Sequence, residues 1–204
     1  MNRTLTICCL GLLLLIAGLP VAYLSWPAPV PASAAIDEGK VIGGPFELQD
    51  HNGRRVTDKT FHGDWTLMFF GFTHCPDICP TTLAQIGAVL DSLGTQADHL
   101  QPLFVSLDPE RDTPEILAGY IHHFDERILG LTGTQAQIDA MSDAYRVYAR
   151  KVPLGGSYTL DHSAVMYLIG PDGELVSHFT QPVEAYAMAR TIAAALPRAA
   201  EREQ

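Results

Sequence analysis

The amino-acid sequence predicts an α/β domain in which one sheet lies between layers of helices. Apolar runs of strand length alternate with segments whose apolar residues recur every three to four positions, and this pattern indicates buried strands followed by amphipathic helices. A hairpin and a helix close the pattern at the C-terminal end. The chain has 204 residues, of which 47% are hydrophobic and 18% are charged, so it can form one domain with a real core and a short extension.

The domain is expected to begin near Val41 with a short hairpin. Residues 46–48 alternate in polarity, Asn52-Gly53 is a strong signal for a hairpin turn, and residues 54–56 lead back. This hairpin precedes the alternating strands and helices and is therefore an addition at the N-terminal side of the fold.

The central strand is predicted at residues 65–72 (WTLMFFGF), a dense apolar run without charge that is typical of a strand buried on both faces. A helix is expected to begin at Pro80, because proline suits the first helical position, and to run to Leu93. Gly94 is a suitable residue to end that helix.

The middle of the chain repeats the strand and helix pattern. A second buried strand is predicted at residues 103–107, followed by a helix that Thr113 caps and in which Pro114 occupies the first turn. A short strand at residues 128–131 and a helix from Thr134 to about residue 149 come next.

The C-terminal part predicts a hairpin and a last helix. Residues 163–169 and 174–179 form the two strands, with Pro171-Asp172-Gly173 as the turn, and residues 183–196 form an Ala-rich helix. This order of elements is typical of a thioredoxin-like fold with an extra N-terminal hairpin and inserted elements between its halves.

Residues 1–25 predict an N-terminal membrane anchor. The segment from Leu5 to Leu24 is nearly all apolar and is long enough to cross a bilayer of about 30 Å as a helix. Arg3 precedes this segment and places the N-terminus in the cytoplasm, so that a single-pass protein of the inner membrane would carry its domain in the periplasm or an equivalent oxidising compartment. The alternative is a cleaved signal peptide, for which residues 32–34 (ASA) resemble a cleavage site.

Three further segments follow the anchor. Residues 26–40 form a linker rich in proline and alanine that is expected to be stiff and extended, residues 41–197 form the domain, and residues 198–204 form a polar tail. The formal net charge is −10, and all 23 acidic residues lie at or beyond Asp37. Nucleic acid is excluded as a partner, because the sequence has no basic stripe that could neutralise phosphates.

Cys75 and Cys79 are the only cysteines in the predicted domain, since Cys8 and Cys9 lie in the apolar segment. Two thiols in an oxidising compartment close a disulfide, bind a metal, or do both in turn. A purely structural disulfide is the weaker interpretation, because a bridge that closes so short a loop removes little chain entropy.

The sequence Cys75-Pro-Asp-Ile-Cys79-Pro80 lies between a buried strand and a predicted helix. Pro80 disfavours helical geometry at Cys79, so Cys79 is expected to cap the helix, where the helix dipole would lower its thiol pKa. The three intervening residues leave the sulfurs free to splay around a metal at about 2.3 Å, while a disulfide of about 2.05 Å stays feasible.

His162 is the candidate for a third metal ligand. It lies at the end of a predicted loop, residues 155–161, directly before the strand from Ser163, and Asp161 could orient its imidazole. From spacing alone, the alternative is a loop histidine without a metal role. His74 is expected to point away from Cys75. The other histidines are interpreted as surface residues: His51, His62, His99, His122, His123 and His178.

Four segments together resemble the Sco/SenC family over roughly residues 41–190. They are FFGFTHCPDICPTTL at 69–83, FVSLDPERDTPE at 104–115, GLTGT at 130–134 and DHSAVMYLIGPDG at 161–173. The resemblance implies a thioredoxin-like fold, a membrane anchor, and copper held as Cu(I) or Cu(II) by Cys75, Cys79 and His162.

The same resemblance implies a copper chaperone, rather than an enzyme, that assists assembly of the binuclear copper centre of cytochrome c oxidase. The implied partners are the copper-centre subunit of the oxidase and, in addition, another copper chaperone or a thioredoxin-like reductant. In the family, Asp108 and Asp112 recur near the site, and we interpret them as caps and loop fixers in preference to partner contacts.

Two other functions compete with the copper chaperone. A thiol-disulfide oxidoreductase would keep the cysteines of the oxidase copper site reduced, but it would need neither the three-residue spacing nor His162. A thiol peroxidase would need a threonine three residues before the reactive cysteine, and Phe72 stands there instead.

Overall fold

The computed structural model describes residues 42–197, which all lie in the compact unit that begins at Val41. The predicted anchor at 1–25, the linker at 26–40 and the polar tail at 198–204 lie outside the described residues. Within the described part of the chain, no helix has the length and apolar character needed to span a membrane.

Between residues 42 and 197, seven of nine strands form one mixed sheet. In chain order the strands are β1 Glu47–Asp50, β2 Arg55–Thr57, β3 Trp65–Gly71, β4 Leu100–Ser106, β5 Leu129–Thr132, β6 Ala149–Leu154, β7 Ser157–His162, β8 Val165–Ile169 and β9 Leu175–Thr180. The order across the sheet is β2-β1-β5-β4-β3-β8-β9. The three central strands, β5, β4 and β3, are parallel, and their neighbours β1 and β8 are antiparallel to them.

In the described part of the chain, four α-helices connect and cover this sheet: α1 Ile78–Leu93, α2 Pro114–Ile121, α3 Gln135–Tyr145 and α4 Ala185–Ala195. Gly94 ends α1 with a φ of 55°, as predicted. The hydroxyl of Thr113 accepts a hydrogen bond from the backbone N–H of Ile116, so the predicted cap is confirmed. Thr134 caps α3 in the same way through the N–H of Gln137.

The core lies on both faces of β3. Every residue from Thr66 to Gly71 is buried, as expected for a strand between two layers of helices. Phe69, Phe70 and Phe104 are each 0% exposed. The predicted arrangement of layers is therefore confirmed, with α1 and α4 packed against each other and α2 packed against β5.

The predicted N-terminal hairpin is also confirmed. Leu48 of β1 pairs with Val56 of β2, and Gly53 takes a positive φ of 82° in the turn, which costs glycine no steric strain. This hairpin extends the sheet because β1 also pairs with β5.

A second hairpin, β6–β7, was missed from the sequence, and it forms a separate two-stranded sheet. The predicted helix from Thr134 is present, but its predicted end near residue 149 is wrong, and so is the predicted loop at 155–161. Helix α3 already ends at Tyr145, where Arg146 adopts a left-handed φ of 54°, and the chain then enters β6. Gly155 and Gly156, both with positive φ, form the turn. Strand β6 is almost entirely exposed, so no apolar run marked it in the sequence.

Candidate metal site

The structure brings the three predicted site residues together at one edge of the sheet. Cys75 lies in the loop after β3, Cys79 in the first turn of α1, and His162 at the end of β7. Their ligand atoms all lie within 4.8 Å of one another, and within residues 42–197 they form the one group of three such side chains with this spacing. The Cys79 Sγ lies 3.8 Å from the His162 Nε2.

Helix α1 begins at Ile78, two residues before the predicted start, so Cys79 belongs to the first turn and does not cap the helix. Pro80 is tolerated in that turn because the first N–H groups of a helix have no partner within it, and proline therefore sacrifices no hydrogen bond. The free backbone N–H of Cys79 instead points at the Cys75 Sγ, at 3.5 Å. The helix terminus thus favours a thiolate on Cys75.

The two thiols have opposite protonation tendencies. A hydrogen bond from the Cys79 thiol lowers the pKa of Cys75 to about 3, although partial burial opposes this effect. The pKa of Cys79 is raised, because its proton is held in the hydrogen bond to Cys75 and because the residue is buried. The expectation that Cys79 carries the thiolate is therefore wrong, and Cys75 carries it.

This asymmetry gives a direct prediction for the reduced protein. Cys75 is partly exposed and ionised, whereas Cys79 is 0% exposed, so iodoacetamide is expected to label Cys75 alone in the folded state. Between about pH 5 and pH 8 the labelling rate is expected to stay nearly constant, because that range lies above the lowered pKa of Cys75. Peptide mapping after timed quenching measures both. A tenfold rise in rate per pH unit, or equal labelling of Cys79, would contradict the assignment.

Gly71 makes room for the Cys79 sulfur. A Cβ at position 71 would lie 2.7 Å from the Cys79 Sγ and 2.8 Å from the Phe104 Cε2, and both distances are too short for real Cβ contacts. The sulfur is therefore seated between the end of β3 and the aromatic core. Any side chain at position 71 would displace either the site or the core.

His162 is half-buried, and a backbone carbonyl fixes its orientation. Its Nδ1 lies 3.0 Å from the carbonyl oxygen of Ser163, so the Nδ1–H donates there and leaves the Nε2 lone pair facing Cys79. The ring of Phe72 packs against the imidazole at right angles, with 5.6 Å between the centroids. Asp161, which was predicted to orient the imidazole, is exposed, and its Oδ2 lies 3.5 Å from the Arg150 Nη2 instead.

Asp112 anchors the cysteine loop, residues 72–77 after β3, to the sheet. Its fully buried carboxylate accepts hydrogen bonds from the backbone N–H of Thr73 at 3.1 Å, the Thr73 hydroxyl at 2.6 Å and the Ser106 hydroxyl at 2.5 Å. Asp108 is also buried and forms an ion pair with Arg111. Both carboxylates thus hold loops in place, as the sequence led us to expect.

The remaining histidines lie away from this group. His74 is exposed and contacts the hydroxyl of Thr73, as its position beside Cys75 suggested. His51 is not a simple surface residue: its Nδ1 accepts a hydrogen bond of 2.9 Å from the backbone N–H of Gly130, and burial lowers its pKa. His51 therefore joins the N-terminal hairpin to β5, a role that nothing in the local sequence indicated.

Fold and site together define a thioredoxin-like domain that carries two thiols and one imidazole in metal-ligand geometry at the carboxyl end of its central strand. The chain belongs to the SCO1/SenC family, which matches residues 34–197.

Known relatives agree with this assignment. The human mitochondrial protein SCO1 homolog is 48% identical over 145 residues, which are 69% of this chain and 48% of the human protein, so the chain spans about half the length of that relative. The SCO2-like protein of Rickettsia prowazekii is 38% identical over 190 residues, covering 90% of this chain and 93% of that protein.

A solved structure, Bradyrhizobium japonicum ScoI with copper bound, superposes with a TM-score of 0.71 at 46% identity and covers 76% of this chain and 99% of that chain. The predicted thioredoxin-like fold is confirmed by this similarity.

Proposed function

We propose that this chain binds one copper ion through Cys75, Cys79 and His162 and delivers it during assembly of the binuclear copper centre of cytochrome c oxidase. The observation that carries the proposal is the convergence of three ligand atoms within 4.8 Å. Relatives from Arabidopsis thaliana, Bradyrhizobium japonicum and yeast have been solved with copper bound, which supports the same cargo here.

The donor set suits copper. Thiolates favour Cu(I), and an imidazole beside two thiolates also accommodates Cu(II). Ligand atoms held at about 2.0–2.3 Å from one metal would be separated by about 3.5–3.8 Å. The distance of 3.8 Å between the Cys79 Sγ and the His162 Nε2 agrees with a metal between them. Loading therefore requires only a small inward movement of ligand atoms.

Loading requires the Cys79 thiol to lose its proton, because only the thiolate is a metal ligand. Cys75 is partly exposed and already ionised, so it offers the first ligand to an arriving ion. Cys79 is fully buried and completes the site after that proton leaves. The order reverses on release, and the partly exposed Cys75 is where an acceptor protein would take over the ion.

The same thiols support a second function, reduction of the disulfide at the oxidase copper site. The Cys75 thiolate would attack a substrate disulfide, forming a mixed disulfide and releasing one substrate sulfur as thiolate. Cys79 would then attack the Cys75 sulfur, its proton passing to the departing substrate thiolate, and the chain would end with a Cys75–Cys79 disulfide. Both thiols are free in the structure, as this chemistry requires.

The proposed location is the inner membrane, with residues 1–25 as a single-pass anchor and the domain in the periplasm or an equivalent oxidising compartment. The apolar, uncharged segment from Leu5 to Leu24 supports this location. The proposed partners are the copper-centre subunit of the oxidase and a copper-supplying chaperone or thioredoxin-like reductant.

Oxidase activity in a strain that carries only His162→Ala tests copper delivery against disulfide reduction. Disulfide exchange needs Cys75 and Cys79 but no imidazole, so the variant should still reduce a model disulfide at close to the wild-type rate. If copper delivery is the function, oxidase activity should fall severalfold at limiting copper and recover in part when copper is added. His178→Ala, which removes an exposed imidazole on β9, is the matched control. Wild-type oxidase activity in the His162→Ala strain would favour the reductase instead.

A further inference from the structure

The histidine of the candidate site belongs to a different sheet from the strand that leads to the cysteines. His162 ends β7, which pairs only with β6 among the described strands, whereas β3 belongs to the seven-stranded sheet. The main sheet resumes after His162, where Val165 pairs with Thr180 and the Ala164 carbonyl accepts a hydrogen bond from the Gln181 N–H. On the other side of His162, its position depends on contacts between the β6–β7 hairpin and the rest of the domain.

Several of those contacts are made by Tyr158, four residues before His162. The Tyr158 hydroxyl donates to the Asp108 carboxylate at 2.7 Å and lies 3.3 Å from a carboxylate oxygen of Glu110. The Arg111 guanidinium donates to the Tyr158 carbonyl at 3.0 Å, and its Cζ lies 3.8 Å from the centre of the ring. One side chain and its own backbone carbonyl thus join β7 to the segment that follows β4.

The other strand of the hairpin is joined to the same segment. Lys151 of β6 places its Nζ 2.6 Å from the carboxylate of Glu110 and 4.5 Å from the centre of the Tyr158 ring. Both strands of the hairpin are therefore held by one group of side chains. We call this group the Tyr158 clamp: Tyr158, Lys151, Asp108, Glu110 and Arg111.

A continuous series of hydrogen bonds connects the clamp to the cysteine loop. The backbone N–H of Asp108 donates to the Ser106 hydroxyl at 3.0 Å, and that hydroxyl donates to Asp112 at 2.5 Å. Asp112 in turn accepts from the backbone N–H of Thr73, two residues before Cys75. Asp108, Ser106 and Asp112 are each at most 1% exposed, and hydrogen bonds in so dry a region are strong and geometrically restrictive.

We propose that Tyr158 is a positioning residue for His162: the clamp holds the β6–β7 hairpin against the Asp108–Asp112 loop and so keeps the imidazole within reach of the Cys79 sulfur. The proposal rests on the metal site proposed above. Its effect is selective for the ion, because Cu(II) benefits from the imidazole, whereas two thiolates alone can hold Cu(I). Tyr158 therefore controls Cu(II) binding while leaving the dithiol chemistry of Cys75 and Cys79 unchanged.

The test is Tyr158→Phe in the full chain, which removes the hydroxyl and keeps the ring. Cu(II) affinity, followed through the thiolate-to-copper absorption, is expected to fall about tenfold, as is usual when a group that orients a metal ligand is lost. Cu(I) affinity and the alkylation rate of Cys75 are expected to change by less than about twofold, because two thiolates alone can hold Cu(I) and the Cys79 thiol is the main cause of the lowered pKa of Cys75. Tyr186→Phe is the matched control, since Tyr186 is 72% exposed on α4.

A double-mutant cycle separates positioning from general loosening of the domain. In a His162→Ala background, Tyr158→Phe should cause no further loss of Cu(II) affinity. An equal loss of Cu(II) affinity in both backgrounds would contradict the positioning role of Tyr158 but not the assignment of His162 as a ligand. The same conclusion would follow if Tyr158→Phe kept wild-type Cu(II) affinity while His162→Ala lost affinity. Equal Cu(II) affinity in the wild type and His162→Ala would overturn the ligand assignment and the clamp together. Lys151→Met, at an exposed position of β6, supplies a second variant with the same expected direction if Tyr158→Phe folds poorly.

Discussion

Replacing either Cys75 or Cys79 by serine is expected to abolish tight copper binding. Each substitution removes one of two thiolates and leaves a single thiolate with one imidazole. Structural zinc sites bind their ion with about 10–16 kcal/mol shared among four ligands, or about 3 kcal/mol for each, so loss of one thiolate here should lower the copper affinity at least about a hundredfold. Titration of the reduced protein with Cu(I) in competition with a chelator of known affinity measures this loss.

The two serine variants should differ in stability although they agree in copper binding. Cys79 is fully buried beside Phe104, so Cys79→Ser also places a hydroxyl among apolar neighbours and should lower the unfolding temperature, whereas the partly exposed Cys75→Ser should not. The double variant Cys8→Ser, Cys9→Ser changes two thiols outside the domain and should keep one copper per chain. Unchanged stoichiometry and affinity in Cys75→Ser or Cys79→Ser would refute the proposed ligand set.

Oxidation of the reduced domain is expected to eliminate copper binding completely and reversibly. Cys75 and Cys79 lie close together, with the Cys79 N–H 3.5 Å from the Cys75 sulfur, so an oxidant that accepts two electrons and two protons can join them in a disulfide. Neither sulfur is then a thiolate, and His162 alone cannot retain the ion.

Mass spectrometry of the oxidised chain should show the loss of two hydrogens, and equilibrium dialysis should show no bound copper. Treatment with a dithiol reductant should restore one copper per chain. Cys75→Ser treated in the same way provides the control, because it cannot form this bridge and should show no loss of mass. Copper retained by the fully oxidised wild type would be incompatible with the proposed site.

The features predicted correctly from the sequence are those with strong local signals. The apolar run at 65–72 indicated a strand buried on both faces, and Thr113 stands where a helix cap is needed. The pair of cysteines was identifiable because Cys75 and Cys79 follow that strand directly. His162 was indicated by spacing alone only as one of two alternatives, since no local pattern places residue 162 beside residue 79.

The errors have physical causes as well. The β6–β7 hairpin is too exposed to show an apolar pattern, and its best signal, Gly155-Gly156, was interpreted as part of a loop. The thiolate was assigned to the wrong cysteine because the helix begins at Ile78, which turns its free N–H groups toward Cys75. The hydrogen bond from the Gly130 N–H to the His51 Nδ1 joins residues 79 positions apart, and neither local sequence predicts such a tertiary contact.

The bare backbone at Gly71 has a consequence for how this domain can evolve or be engineered. Because Gly71 has no Cβ, the Cys79 Sγ and the Phe104 ring both reach into the space that a side chain at position 71 would occupy. Phe104 in turn stacks on Phe69 and contacts Tyr120, at centroid distances of 5.9 Å in each case. A substitution of Phe69 or Tyr120 that shifts Phe104 by a few tenths of an ångström would therefore change the packing around the Cys79 sulfur. The aromatic core and the proposed metal site are therefore in direct contact, and mutations selected only for thermal stability would also move the Cys79 sulfur.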